Sequence, residues 1–231
     1  MKAFILQFGR TIFLALFFIS VNLHGQKPLS ASDLLGLEYI SYLEMDPEGE
    51  EIIYSVETPR GPNEPPGGPR SVYYRMSLKT RTAIPLFPEG IEGSSPRYCQ
   101  DGKHIAFIRS IDKKTPQVWL LDQDSERVKQ LTRAEEGVSS FRWQPGHRKI
   151  AYLSKESVSE REKELKERGY DFIFYEENLK NARLFLAGFD ENWEISSHQQ
   201  LTRTGHVWDF EFDAAGTRIA ASISPENLID H

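Results

Sequence analysis

Cysteine is nearly absent: Cys99 is the one copy in 231 residues. That excludes an intramolecular disulfide framework and every zinc site that needs two or more thiolates. A metal would have to be held by histidine and carboxylate alone. The six histidines, His24, His104, His147, His198, His206 and His231, form no HExxH string. None is paired with another on one helix face or has a carboxylate companion at a ligand offset, so neither a metal nor a cofactor is expected. No polybasic run occurs, and 28 basic residues against 34 acidic ones give a formal charge of −6. Such a field opposes a phosphate backbone and argues against nucleic acid as a partner. The apolar run from Thr11 to Val21 is too short for a membrane span of about 20 residues. What is present is an ordinary globular balance, 39% hydrophobic and 27% charged. That balance excludes a disordered chain and a multi-span membrane protein and predicts a packed core. The length allows one domain or two small ones.

Residues 1–25 have the layout of a secretory signal peptide. Lys2 and Arg10 precede the apolar run, and polar Asn22 and small Gly25 follow it; a positive start, a short apolar centre and a small residue at the cut are what export machinery reads. Cleavage after Gly25 would leave Gln26 at the new N-terminus, although Leu23 is bulky for its place in the cleavage pattern. No cysteine near the cut could carry a lipid. The mature chain is expected to be an acidic exported protein, periplasmic or extracellular, with no membrane attachment after cleavage.

Within it a phrase recurs four times: a large apolar residue, a turn, then Ile followed by a small or apolar residue. It spans residues 45–54, 98–107, 143–152 and 212–221. Each copy predicts a hairpin, because Asp-Gly-type turns supply the positive φ of a tight reversal. His147 stands where the other copies have glycine, so the third turn must differ in detail. From isoleucine to isoleucine the offsets are 53 (Ile52 to Ile105), 45 (Ile105 to Ile150) and 69 (Ile150 to Ile219), near the length of a four-stranded propeller blade with insertions. A second strand pair follows each of the first three phrases: Val72–Met76 with Thr82–Leu86, Gln117–Asp122 with Val128–Thr132, and Ala182–Leu186 with His198–Thr202. A plain sandwich is the competing arrangement. The in-phase return of both half-units favours an all-β, partial β-propeller of about three and a half blades over residues 28–231, TolB-like and WD40-like.

Two insertions interrupt the blades. Thr58–Arg70 is rich in proline and glycine and predicts an irregular loop. Lys155–Arg168 places Glu160, Lys163, Glu164 and Glu167 at i,i+3 and i,i+4 spacings and predicts a short exposed helix with a solvated face. Trp119, Trp143, Trp193 and Trp208 are expected in the core between blades, and Cys99 at a turn, without activation.

The segment Leu29–Leu35, the Asp-Gly-Lys-x-Ile-Ala-Phe phrase, the Val-Trp-Leu-Leu-Asp strand, the Gln-Leu-Thr endings and Glu176–Leu184 together resemble the N-terminal propeller of exported prolyl oligopeptidase family serine peptidases. The dipeptidyl aminopeptidase and acylaminoacyl peptidase branch is the nearest group. The resemblance covers roughly residues 28–231, though single phrases are shared with TolB-like propellers. It implies a propeller that gates access of peptides to a separate α/β-hydrolase domain carrying Ser, acid and His. None of those catalytic residues is expected in this chain. The nucleophile elbow Gly-x-Ser-x-Gly is missing, and Gly93–Arg97 and Gly137–Phe141 lack its closing glycine, so both read as polar connections between blades. Glu176 and Glu177 resemble the acidic pair with which such propellers hold a substrate's ammonium group, and are the substrate-binding candidates. The chain is therefore expected to be a truncated, inactive portion of a peptidase, whose peptide substrate is reached through a missing catalytic half. Open blade edges would favour self-association. The alternative is a TolB-like periplasmic interaction propeller with no enzymatic activity.

Overall fold

The computed structural model describes residues 28–30, 33–34, 36–61, 63–111, 115–170 and 179–228. The signal peptide expected at 1–25 lies outside them. Among the described residues no helix is long and apolar enough to cross a membrane. These residues form three four-stranded antiparallel sheets and a two-stranded hairpin. The first sheet holds β1 (Tyr39–Met45), β2 (Glu51–Thr58), β3 (Arg70–Ser77) and β4 (Ala83–Pro85), and the second β5 (Ser94–Tyr98), β6 (His104–Arg109), β7 (Gln117–Asp122) and β8 (Val128–Gln130). The third holds β9 (Ser140–Trp143), β10 (Lys149–Lys155), β11 (Ala182–Phe189) and β12 (Ile195–Gln200), and the hairpin β13 (His206–Phe212) and β14 (Ile219–Ser224). In each sheet spatial order follows chain order. These are the blades of a propeller, three and a half of them.

Each recurring phrase is the hairpin that opens a blade. In the first, second and fourth, an i,i+3 bond closes the turn onto a glycine with positive φ: Gly49 N–H to Asp46, Gly102 to Cys99 and Gly216 to Asp213, at 2.9–3.2 Å. The φ values are +74°, +64° and +67°, a conformation that costs an L side chain but not glycine. In the third, His147 N–H bonds Gln144, and the positive φ moves one residue earlier, to Gly146 at +77°. Pro145 then fixes the preceding φ, the pairing a type II turn requires. The expected difference in that turn is therefore a shift of the left-handed residue.

The Ile-Ala-aromatic run reads as continuously apolar because both faces of each middle sheet are covered. Ile105 and Phe107 of β6 pack with Ile53 and Leu86 of the first blade. Ala106 and Ile108, one residue out of phase, pack with Phe141, Ile150 and Tyr152 of the third. Ala151 and Leu153 of β10 turn the other way, onto Val207 and Phe210 of the hairpin. Side chains alternate between faces along a strand, so one four-residue apolar run serves two interfaces.

The Gln-Leu-Thr endings have a shared local cause. Leu131 N–H bonds the Val118 carbonyl at 2.8 Å, and Thr132 Oγ1 accepts from Val118 N–H at 2.9 Å. Leu201 and Thr202 repeat this on Leu184, at 2.8 Å and 2.9 Å. The hydroxyl thus takes over the ladder after the strand has left it. The glutamine amide closes the arrangement on the threonine carbonyl, at 2.6 Å for Gln130 and 2.8 Å for Gln200.

The described residues divide into two compact units. One comprises those up to Tyr39 together with Thr58–Arg70. There Ser30 Oγ donates to Asp33 at 2.6 Å, Thr58 Oγ1 to Glu38 at 3.3 Å, and Arg60 Nε to the Gly68 carbonyl at 2.7 Å. Its Pro/Gly-rich part contains neither helix nor strand between residues 59 and 69, apart from the undescribed residue 62. The other unit, Ile40–Glu57 with Ser71 onward, carries the blades. It includes a helix, α1 (Glu160–Glu167), with no buried residue, N-capped by Ser159 in a capping box with Glu162.

Three expectations need correction. The last strand of the third blade runs Ile195–Gln200 rather than His198–Thr202, because Asp190 Oδ1 accepts from Asn192 and Glu194 N–H at 2.9 and 2.8 Å and Trp193 adopts φ +60°, which closes the turn early. Ser94–Tyr98 is itself the strand β5, not a connection. Of the four tryptophans, Trp193 is buried, and Trp119 and Trp143 pack against the core. Trp208, however, is 42% exposed, its indole N–H donating to Ser224 Oγ at 2.8 Å.

Candidate functional site

Each blade is opened by a strand whose penultimate or nearby residue carries a charge, and these residues join one blade to the next. Glu44 on β1 accepts from Arg97 Nη1 on β5 at 3.0 Å through Oε2 and from Tyr98 N–H at 3.0 Å through Oε1. Tyr42 Oη donates to the Pro96 carbonyl and, at 2.6 Å, to Glu44. Burial, then the neighbouring Glu44 charge, pushes the Tyr42 phenol upward, so it stays a donor. Trp143 Nε1 on β9 reaches the Arg97 carbonyl at 3.4 Å. Arg142 on β9 holds Glu211 on β13 at 3.0 Å and Asp209 at 3.8 Å, with its guanidinium 5.9 Å from the Phe210 ring.

Glu44, Arg97, Arg142 and Glu211 form a column in the repeat: each immediately precedes the large apolar residue that begins its phrase. This one-residue step before the phrase is the signal from which sequence reasoning could have found them, and it did not. The first and last pairs match opposite charges across a blade junction. Between the second and third blades two arginines share the column, and there the indole N–H supplies the link. Glu44 is held between neighbours, its side chain 17% exposed, whereas Asp209 and Glu211 are 72% and 67% exposed. One Arg142 thus faces two open carboxylates, an arrangement that leaves net negative charge for a cationic group.

Glu176 and Glu177 lie outside the described residues, so the structure does not place them. Beside them in the chain, Lys180 Nζ binds Glu162 of α1 at 2.8 Å, and Arg183 Nε binds Glu156 at 2.9 Å.

Three of the described histidines, His104, His198 and His206, have side-chain partners within the blades. His104 Nδ1 lies 2.7 Å from Asp101 Oδ2 and its ring 5.0 Å from Trp193. Burial acts to raise the Asp101 pKa, but hydrogen bonds from the His104 ring and from the His104 and Lys103 backbone outweigh it and hold the carboxyl below its ordinary value. His206 accepts from Ala182 N–H at 3.0 Å through Nδ1, and His198 Nε2 lies 2.7 Å from Tyr152 Oη. Among the described residues no histidine is hydrogen-bonded to a serine hydroxyl, and no three His, Cys, Asp or Glu side chains are placed to hold a metal. Cys99 is buried, and burial pushes its thiol up to about 11, away from nucleophilic use.

The four-stranded antiparallel blades define a β-propeller domain. No protein-family model and no curated protein matches the chain. Among solved structures it is similar to TolB from Acinetobacter baumannii, at 18% identity and a TM-score of 0.55, over 83% of this chain and 39% of that one. It is also similar to the Pyrococcus horikoshii acylaminoacyl peptidase, at 19% identity and a TM-score of 0.52, over 74% of this chain and 26% of that one. A prolyl endopeptidase matches at 13% identity and a TM-score of 0.55, over 81% of this chain and 26% of that one. The chain thus spans less than half the length of each. At such identities the likeness is one of fold, shared by propellers of peptidases and of TolB.

Proposed function

We propose that the chain is the substrate-gating propeller portion of an exported prolyl oligopeptidase family serine peptidase, inactive by itself. The observation that carries this reading is the ordered set of peptidase-type phrases, from Leu29–Leu35 through Glu176–Leu184, on blades that resemble those of an acylaminoacyl peptidase. In this reading the blades screen short peptides. Charged groups on the opening strands, Asp209 and Glu211 with Arg142 among them, meet the charged ends of the peptide. Hydrolysis, acyl transfer from peptide to serine and then to water, belongs to a catalytic domain with its own Ser, acid and His.

The test is the genomic DNA that follows the His231 codon. A Gly-x-Ser-x-Gly elbow in the same frame, followed by an acid and a histidine, is the expected result. A stop codon with no hydrolase downstream would overturn it. Serine-reagent-sensitive peptide hydrolysis by the purified 231-residue chain would equally overturn the assignment of the chemistry elsewhere. The likeness to TolB favours a second reading, a periplasmic interaction propeller without enzymatic activity. Recovery of a stoichiometric envelope protein on the purified chain would select it.

A further inference from the structure

Away from the opening strands, a cleft of about 400 Å³ lies between the third blade and the connection from β8 to β9, within the range of small-molecule sites. One wall is aromatic. Tyr152, Phe185 and His198 come from three neighbouring strands, brought together by the pairings Tyr152↔Phe185 and Ala187↔His198. Tyr152 and Phe185 stack at 5.4 Å and 17°, Phe185 and His198 at 5.7 Å and 7°. The Tyr152 Oη to His198 Nε2 contact at 2.7 Å locks the imidazole in the plane of the stack. The wall is therefore already ordered, which removes part of the entropic cost of binding.

Charge at the mouth selects the other half of the ligand. Lys155 and Arg133 both line the cleft and are exposed, and neither ammonium nor guanidinium has a hydrogen-bond or ion-pair partner among the described residues. Of the two acids that share the mouth, Glu135 is paired with Lys163 at 2.8 Å, whereas Glu136 accepts only from the neutral Val158 N–H at 3.4 Å and keeps its charge. Two unpaired cations against one unpaired carboxylate leave the mouth net positive, beside an aromatic wall. We propose that this cleft binds a small carboxylate carrying a flat aromatic ring, the ring against Phe185 and His198 and the carboxylate at Lys155 and Arg133.

The experiment is an NMR titration of the purified full chain with 3-phenylpropionate, with 3-phenylpropionamide and 2-phenylethylammonium as comparisons. Saturable binding of the carboxylate that shifts the His198 ring resonances is expected. The amide should bind at least about tenfold more weakly, the ratio that loss of a charge-assisted contact brings. Replacing both cations (Lys155→Gln with Arg133→Gln) should reduce carboxylate affinity to that of the amide and leave the amide unaffected. Phe185→Leu should weaken both. Absence of saturable binding, equal affinity for amide or ammonium, or indifference to the double substitution would overturn the proposal. Both cations are exposed, so the double variant keeps the fold, and its melting curve verifies this.

Discussion

At the scale of single residues, Thr132 makes a backbone bond that no backbone atom is positioned to make. Its hydroxyl accepts from Val118 N–H at 2.9 Å and donates to Gln117 Oε1 at 2.8 Å, and both Thr132 and Val118 are buried. Thr132→Val keeps the shape and removes both bonds. An unpaired buried N–H costs about 1–3 kcal/mol, so the urea midpoint should fall accordingly, while Thr132→Ser should recover most of it. His206 sets a pH dependence by the same logic. Burial first, then the Lys155 and Arg183 charges, hold its pKa below the ordinary 6.5, so the folded chain keeps the ring neutral, with Nδ1 accepting from Ala182. The unfolded chain takes up the proton first. The stability this ring contributes is complete above 6.5 and is lost as pH falls through its lowered folded value. Thermal midpoints should therefore decline from pH 7 towards 5 in the native chain. In His206→Asn, where an amide oxygen can replace Nδ1 without titrating, the decline should be shallower; parallel curves would reject this role.

At the scale of elements, α1 is held by charge rather than by packing. No residue of the helix is buried, and its attachments are Lys163 to Glu135 at 2.8 Å and Glu162 to Lys180 at 2.8 Å. Salt screens such exposed pairs over a few ångströms. Protease cleavage within Ser159–Arg168 should accordingly accelerate between 0 and about 1 M NaCl, while cleavage in the blades should not. Mild acid should have no such effect. Hydrogen bonds from Lys180 and then Ser159 hold Glu162 down to about 2, so its contribution, complete above the ordinary 4.5, is lost only as pH falls towards that value. Cleavage that accelerates at pH 5 and ignores salt would contradict the electrostatic attachment. This helix was legible in its charge spacing, as the blades were in the Asp-Gly-Lys-x-Ile-Ala-Phe phrase, because such signals are local: turn, strand and buried face all fall within ten residues. The aromatic cleft was not legible. Tyr152, Phe185 and His198 meet only through a register that shifts between Gly188 and Phe189, and the start of β12 depends on a left-handed tryptophan that composition does not announce. The Arg142–Glu211 contact likewise requires knowing which blades adjoin, although its repeat position was on view.

At the scale of the whole molecule, the two middle blades are covered on both faces, and apolar surface remains elsewhere. Ile40, Leu43 and Met45 on β1 are 64%, 65% and 56% exposed, and Ile223 on β14 is 52% exposed. The hairpin β13–β14 is paired with no further strand among the described residues. Backbone donors and acceptors along a free edge, next to apolar side chains, favour pairing with another copy. The charged junctions oppose this little, since exposed pairs such as Arg142–Glu211 contribute only about 0–1 kcal/mol. The purified chain should therefore associate as its concentration rises, seen as an increasing weight-average mass in sedimentation equilibrium. Adding 0.5 M salt should not reverse it, because burial of apolar surface is not screened. Leu43→Lys together with Ile223→Lys places charge where strands would meet and should shift the association to higher concentration without lowering the thermal midpoint of the dilute chain. A mass that stays monomeric at every concentration would remove the free edges as the cause. Association in the double variant identical to that of the native chain would do the same for these two side chains.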